Sequence, residues 1–132
     1  MKLSYVFIYQ AVVSLLLGIV ALAVPETLGT TYGASLDKTA QTMAQYFGAA
    51  AITIGLVAWF LRNAPPSTER LWVVRSLALG ALLSLIPDTL AITNGLVNAL
   101  GWLNVALAII STLGFGYYGF MKTSTAEAMA TR

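Results

Sequence analysis

The chain contains no cysteine and no histidine. Those two absences exclude disulfides, thiolate nucleophiles, zinc sites, iron-sulfur ligand sets and any haem held by His or Cys. Acids are scarce as well. Glu26, Asp37, Glu69, Asp88 and Glu127 are the only carboxylates, too few and too scattered for a carboxylate-bridged dinuclear metal site. Lysine occurs only at 2, 38 and 122. There is no Ser-Lys pair, no paired-carboxylate motif, no glycine-rich phosphate loop and no aromatic nucleic-acid platform. No metal or other cofactor and no enzymatic activity are expected. The net charge of +2 is too small and too dispersed for a nucleic-acid surface.

What the sequence has is apolar length. Of its 132 residues 58% are hydrophobic and 9% charged, against about 25% charged in a soluble domain. Crossing a hydrocarbon core takes roughly 20 apolar residues in a helix, and four stretches qualify, over about 3–24, 42–61, 71–90 and 102–121. The expected fold is therefore all-α, an integral membrane four-helix bundle forming a single transmembrane domain over 1–132. Pro25 and Pro87 mark two exits, "NAPPS" at 63–67 reads as a turn with Ser67 as a helix cap, and Asn94-Gly95 precede the last span. Lys2 before an apolar core and "ALA" at 21–23 imitate a signal peptide. The core exceeds the usual 7 to 15 residues of a signal, so a retained helix is expected.

Lys and Arg in short loops bias those loops toward the cytoplasm. Lys2, Arg62, Arg70, Arg75, Lys122 and Arg132 fall on one side and Lys38 on the other. This predicts a multi-pass protein of the cytoplasmic (inner) membrane with both termini cytoplasmic. Arg75 is expected to snorkel toward the inner headgroups. The tail "STAEAMATR" is expected either to prolong the last helix or to lack structure.

The chain also resembles itself. "VVSLLLGIVALAVPETLGTTYG" at 12–33 lies over "VRSLALGALLSLIPDTLAITNG" at 74–95 with a constant spacing of 62 residues. Ser14 meets Ser76, Gly18 meets Gly80, and Pro25-Glu26-Thr27-Leu28 meets Pro87-Asp88-Thr89-Leu90. A weaker match at a spacing of 59 pairs Gln45 with Asn104 and Gly55 with Gly114. The expected architecture is thus two tandem parallel-repeat helical hairpins, about 3–62 and 65–122, related by an axis along the membrane normal. "AITNG" is more apolar than its counterpart "GTTYG", so the third helix is expected to run a turn past Pro87, with Asp88 near headgroup depth.

Small residues four apart share a helix face and let backbones approach closely. Ser14 and Gly18, Ala44 and Gly48, Ala51 and Gly55, and Ser76, Gly80 and Ser84 are read as helix-packing positions, with Gly114 serving a further interface. Gln10 is read as interhelical hydrogen-bond glue. The candidate ligand-binding residues are Asp88, Gln45, Asn104 and Thr89, with Trp102 at the rim. They fall in or near the outer half, where they would form an outward-facing pocket.

Four short spans with ends on one side, a helix-ending proline in the first outer loop and the second span "YFGAAAITIGLVAW" resemble the DoxX-like group of small bacterial membrane proteins. The resemblance covers nearly the whole chain. It implies a quinone-linked oxidoreductase subunit or a partner of redox enzymes, although no motif here carries that activity. The residues themselves favour a protein acting by helix–helix association in the lipid bilayer, as a homo-oligomer or an accessory subunit of a larger membrane complex. The alternatives are a carrier for a lipid, quinone or other small amphiphile between the hairpins, and a redox-enzyme subunit.

Overall fold

The computed structural model describes residues 2–122. It consists of five helices: α1 (Leu3–Ala23), α2 (Pro25–Thr31), α3 (Lys38–Leu61), α4 (Thr68–Thr93) and α5 (Gly101–Gly116). A π-helical turn, Tyr117–Met121, prolongs α5. There is no strand among the described residues. The tail 124–132, with Glu127 and Arg132, lies outside the described residues. Four helices are long and apolar enough to cross a membrane: α1, α3, α4 and α5 with its π-helical turn.

Local chemistry explains the helix starts. Asp37 caps α3 by accepting from the Ala40 N–H at 2.8 Å, so α3 begins four residues ahead of the expected 42. Ser67 caps α4 as the sequence suggests, accepting from the Arg70 N–H at 3.2 Å.

The two prolines behave differently. At Val24 the backbone leaves the helical region (φ −139°, ψ 61°), and Pro25 opens α2 at its first position, where a missing N–H matters least. Pro87 by contrast lies inside α4, which continues to Thr93. Pro87 therefore does not end the third span, and the helix runs beyond the expected 90. Both stretches nevertheless close alike. Gly33 (φ 77°) and Gly95 (φ 68°) take the left-handed conformation, Ala34 N–H donates to Gly29 O, and Leu96 N–H donates to Ala91 O, both at 2.9 Å. This is the Schellman arrangement, formed twice with a spacing of 62 residues.

Packing proceeds by pairs. α1 lies against α3 and α4 against α5, while α1 and α5 join the two hairpins along a slimmer seam. In the first pair the backbones nearly touch: a Cβ on Gly48 would sit 2.7 Å from Gly18 O, and one on Gly18 2.8 Å from Gly48 O. At the seam Phe7 and Phe115, both fully buried, meet edge to face with centroids 5.2 Å apart. Around them the core includes Val6, Ala11, Ala58, Val74 and Ala78.

Candidate functional site

The seam between α1 and α5 is crossed by two of the hydrogen bonds that join the hairpins. Halfway along it, Gln10 uses both ends of its amide: Nε2 donates to Ser14 Oγ at 2.7 Å, and Oε1 accepts from Ser111 Oγ at 2.8 Å. Both serines are buried. One turn away, the Tyr9 hydroxyl donates to the Leu107 carbonyl at 2.9 Å. Inside a hydrocarbon layer such bonds are not exchanged for water, yet each contributes only about 0.6 kcal/mol on average. Gln10 occupies the bridging place expected of it. Ser111 and Tyr9 escape a sequence reading, because serine in an apolar helix and tyrosine near a span end are both commonplace.

A second polar group lies at the end of the seam occupied by α2. The Tyr32 hydroxyl donates to Asn104 Oδ1 at 2.8 Å. Asn98, in the loop after α4, donates through Nδ2 to Thr31 O at 2.9 Å and through its backbone N–H to Tyr32 O at 2.7 Å. The end of the first proline stretch is thereby tied to the loop that follows the second. Burial holds the Tyr32 phenol above its ordinary pKa, and the negative charge of nearby Asp88 acts in the same direction. The phenol stays a neutral donor to Asn104 across the physiological range.

Of the five candidate ligand residues, Asn104 is the one bonded to Tyr32, and it and Asp88 are both half-buried. Gln45 sits in the other seam, on α3, where its Nε2 donates to Leu22 O at 3.3 Å. Thr89 and Trp102 are exposed. Nothing in the sequence alone singles out Tyr32. Its role as the hub of this group depends on α2, the short helix that the sequence reading lacked.

The packing positions divide in the same way. Gly18 and Gly48 form the closest backbone approach, and a Cβ on Gly55 would lie 2.8 Å from Leu15 Cγ. Gly114 serves the seam, where a Cβ would meet Val6 Cγ1 at 2.8 Å. On α4, Ser76 is exposed, a Cβ on Gly80 would meet nothing within 4 Å, and Ser84 bonds back to Ala81 O at 2.8 Å.

At the opposite end of the molecule, Arg75 does more than extend to the surface. Its Nε donates to Gly119 O in the π-helical turn at 2.9 Å, and its guanidinium lies over the Trp72 and Phe120 rings. It thus links α4 to the end of α5. Among the described residues no cluster of His, Cys, Asp or Glu is disposed to hold a metal ion. Compared with protein-family models, with curated proteins and with solved structures, the chain matches none.

Proposed function

We propose that this is a multi-pass protein of the cytoplasmic membrane, built from two tandem hairpins with both chain ends cytoplasmic, that acts by helix–helix association through α4. Its side-chain distribution supports the membrane setting. Much of the interior is made of small residues such as Ala11, Ala21, Ala51, Ala58 and Ala78, whereas Phe60 (74% exposed), Leu113, Leu83 and Leu16 point outward. A water-facing surface does not carry so much continuous apolar area. The Lys and Arg asymmetry of the short loops supports the orientation.

The single observation that carries the association reading is the open approach to Gly80. α4 is the least covered of the four long helices, and Gly80 and Ser76 leave a flat, small-residue strip along it. In lipid such a strip is where another helix gains van der Waals contact at short range. The occupant is a second copy in a homo-oligomer or a helix of a larger complex.

A chain without cysteine is well suited to the test. S76C or G80C, with no other thiol in the protein, should cross-link in oxidised native membranes, whereas F60C on the exposed flank of α3 should not. A doubled mass identifies a second copy, and a different mass identifies a partner subunit. If S76C and G80C remain monomeric wherever F60C does, α4 is not an interface.

The amphiphile-carrier reading at Asp88, Gln45, Asn104, Thr89 and Trp102 has less support. Asn104 Oδ1 and the Gln45 amide are already engaged within the protein.

A further inference from the structure

The chain has seven Lys and Arg residues, and three of them converge where a snorkelling side chain would have no need of company. Lys2 precedes α1, Arg70 lies in the first turn of α4, and Lys122 follows the π-helical turn. All three line one groove of about 680 Å³, within the range of small-molecule sites. None of the residues lining it is acidic. Glu69, the acid next to Arg70, is fully exposed and bonded to Ser67.

Arg70 is the informative member. Its Nη2 donates to Arg62 O at 3.3 Å, and its guanidinium lies 5.3 Å from the centroid of the Phe7 ring, against the core. Its Nε is buried without a hydrogen-bond partner, and among the described residues it is the one side-chain nitrogen or oxygen in that condition. A partly desolvated guanidinium on the wall of a groove that also carries two lysines and no acid favours an anion there.

The rest of the groove is apolar, with Leu3, Leu71 and Tyr118 on its walls. Tyr118 and Lys122 also border a second groove of about 510 Å³, walled by Ile110 and Leu113. One cationic end with apolar channels on either side of Tyr118 has the layout of a headgroup with two acyl chains. A free phosphate ion would use only the cations.

We propose that this groove holds the phosphate headgroup of an anionic phospholipid from the inner leaflet, bound by Lys2, Arg70 and Lys122, with its acyl chains along the two apolar channels. Basic recesses between transmembrane helices are suited to such headgroups. The site is independent of association through α4, because the residues that define it belong to the ends of α1, α4 and α5 and not to the Gly80 strip.

The test is native mass spectrometry of the full chain released from micelles containing equal amounts of phosphatidylglycerol and phosphatidylcholine. The wild type should retain phosphatidylglycerol in preference. K2Q/K122Q, whose changes lie outside the packed core, should lose that preference by about fivefold for each charge removed while retaining phosphatidylcholine as before. R70Q should lose it, and R70K should keep it. Equal retention of the two lipids by the wild type, or an undiminished preference in K2Q/K122Q, would overturn the proposal. Displacement of phosphatidylglycerol by an equimolar amount of inorganic phosphate would also overturn it, by assigning the cations to a soluble anion. Copy number is read from the same spectra, so failure of the lipid site and failure of association are separately visible.

Discussion

In the first hairpin two glycines, Gly18 on α1 and Gly48 on α3, bring the helix backbones almost into contact. In the second, Gly80 occupies the position that matches Gly18 and faces open space. The difference comes from the opposite helix. The spacing of 59 residues that aligns Gly55 with Gly114 puts Leu107 where the first hairpin has Gly48, and Ile110 where it has Ala51. With Leu107 in the place of Gly48, the glycine-to-glycine approach of the first hairpin has no counterpart in the second. α5 instead turns its small residues toward α1, with Gly114 against Val6 and Ser111 on Gln10. A small-residue motif therefore specifies a close contact only together with the residues opposite it. In the second hairpin the strip is left uncovered.

The largest expected break in this comparison comes from filling each glycine. Gly48→Leu forces a side chain against the Gly18 carbonyl and the Leu22 amide, backbone atoms that cannot swing aside, and should destabilise the protein by about 3 kcal/mol. Gly80→Leu should leave monomer stability within about 0.5 kcal/mol, with its effect confined to association. Unfolding of the monomer in mixed micelles measures both. Equal losses for the two substitutions would mean that the hairpins pack alike after all.

A smaller contrast is expected at the prolines. Pro87→Ala supplies α4 with an N–H for the Leu83 carbonyl and should stabilise by about 1 kcal/mol. Pro25→Ala removes a residue whose fixed φ suits the start of α2 and should destabilise by about 0.4–1 kcal/mol. The same unfolding measurement decides, and matching signs would show that the break at Val24 does not depend on Pro25.

The finest test is Tyr32→Phe, which removes the bond to Asn104 and should cost about 0.6 kcal/mol. Because burial, aided by Asp88, raises the folded-state pKa of Tyr32 above its ordinary 10.0, the stability it contributes is complete below about pH 10. That stability is lost as pH rises through the folded value. Tyr32→Phe should abolish this part of the alkaline loss and leave the profile at neutral pH otherwise parallel. An alkaline titration of stability for the two proteins, compared with Asp88→Asn, checks the sign.

Sequence patterns made the four long helices legible, because each runs for about five turns or more of apolar residues. They also made Ser67 legible as a cap. The short α2 was not, since it arises from tertiary packing: Pro25 and Gly29 are buried, and Gly29 lies where a Cβ would come 2.5 Å from Leu36 Cγ. The residue matching Gly29 in the second hairpin is Ala91, which carries the Cβ that such a fold-back excludes. There the helix continues to Thr93. The Tyr32 group was hidden for the same reason, since its hydroxyl reaches Asn104 from beyond the short helix.

Pro87 has a mechanical consequence. A proline cannot bond the carbonyl four residues back, so α4 is a long rod with one missing tie, level with Leu83 and Pro87. On the far side of that joint, the loop after α4 is clamped to the first hairpin by Asn98. On the near side, Arg75 is pinned to the end of α5. A rod fixed at both ends and softened between them yields by bowing at its middle.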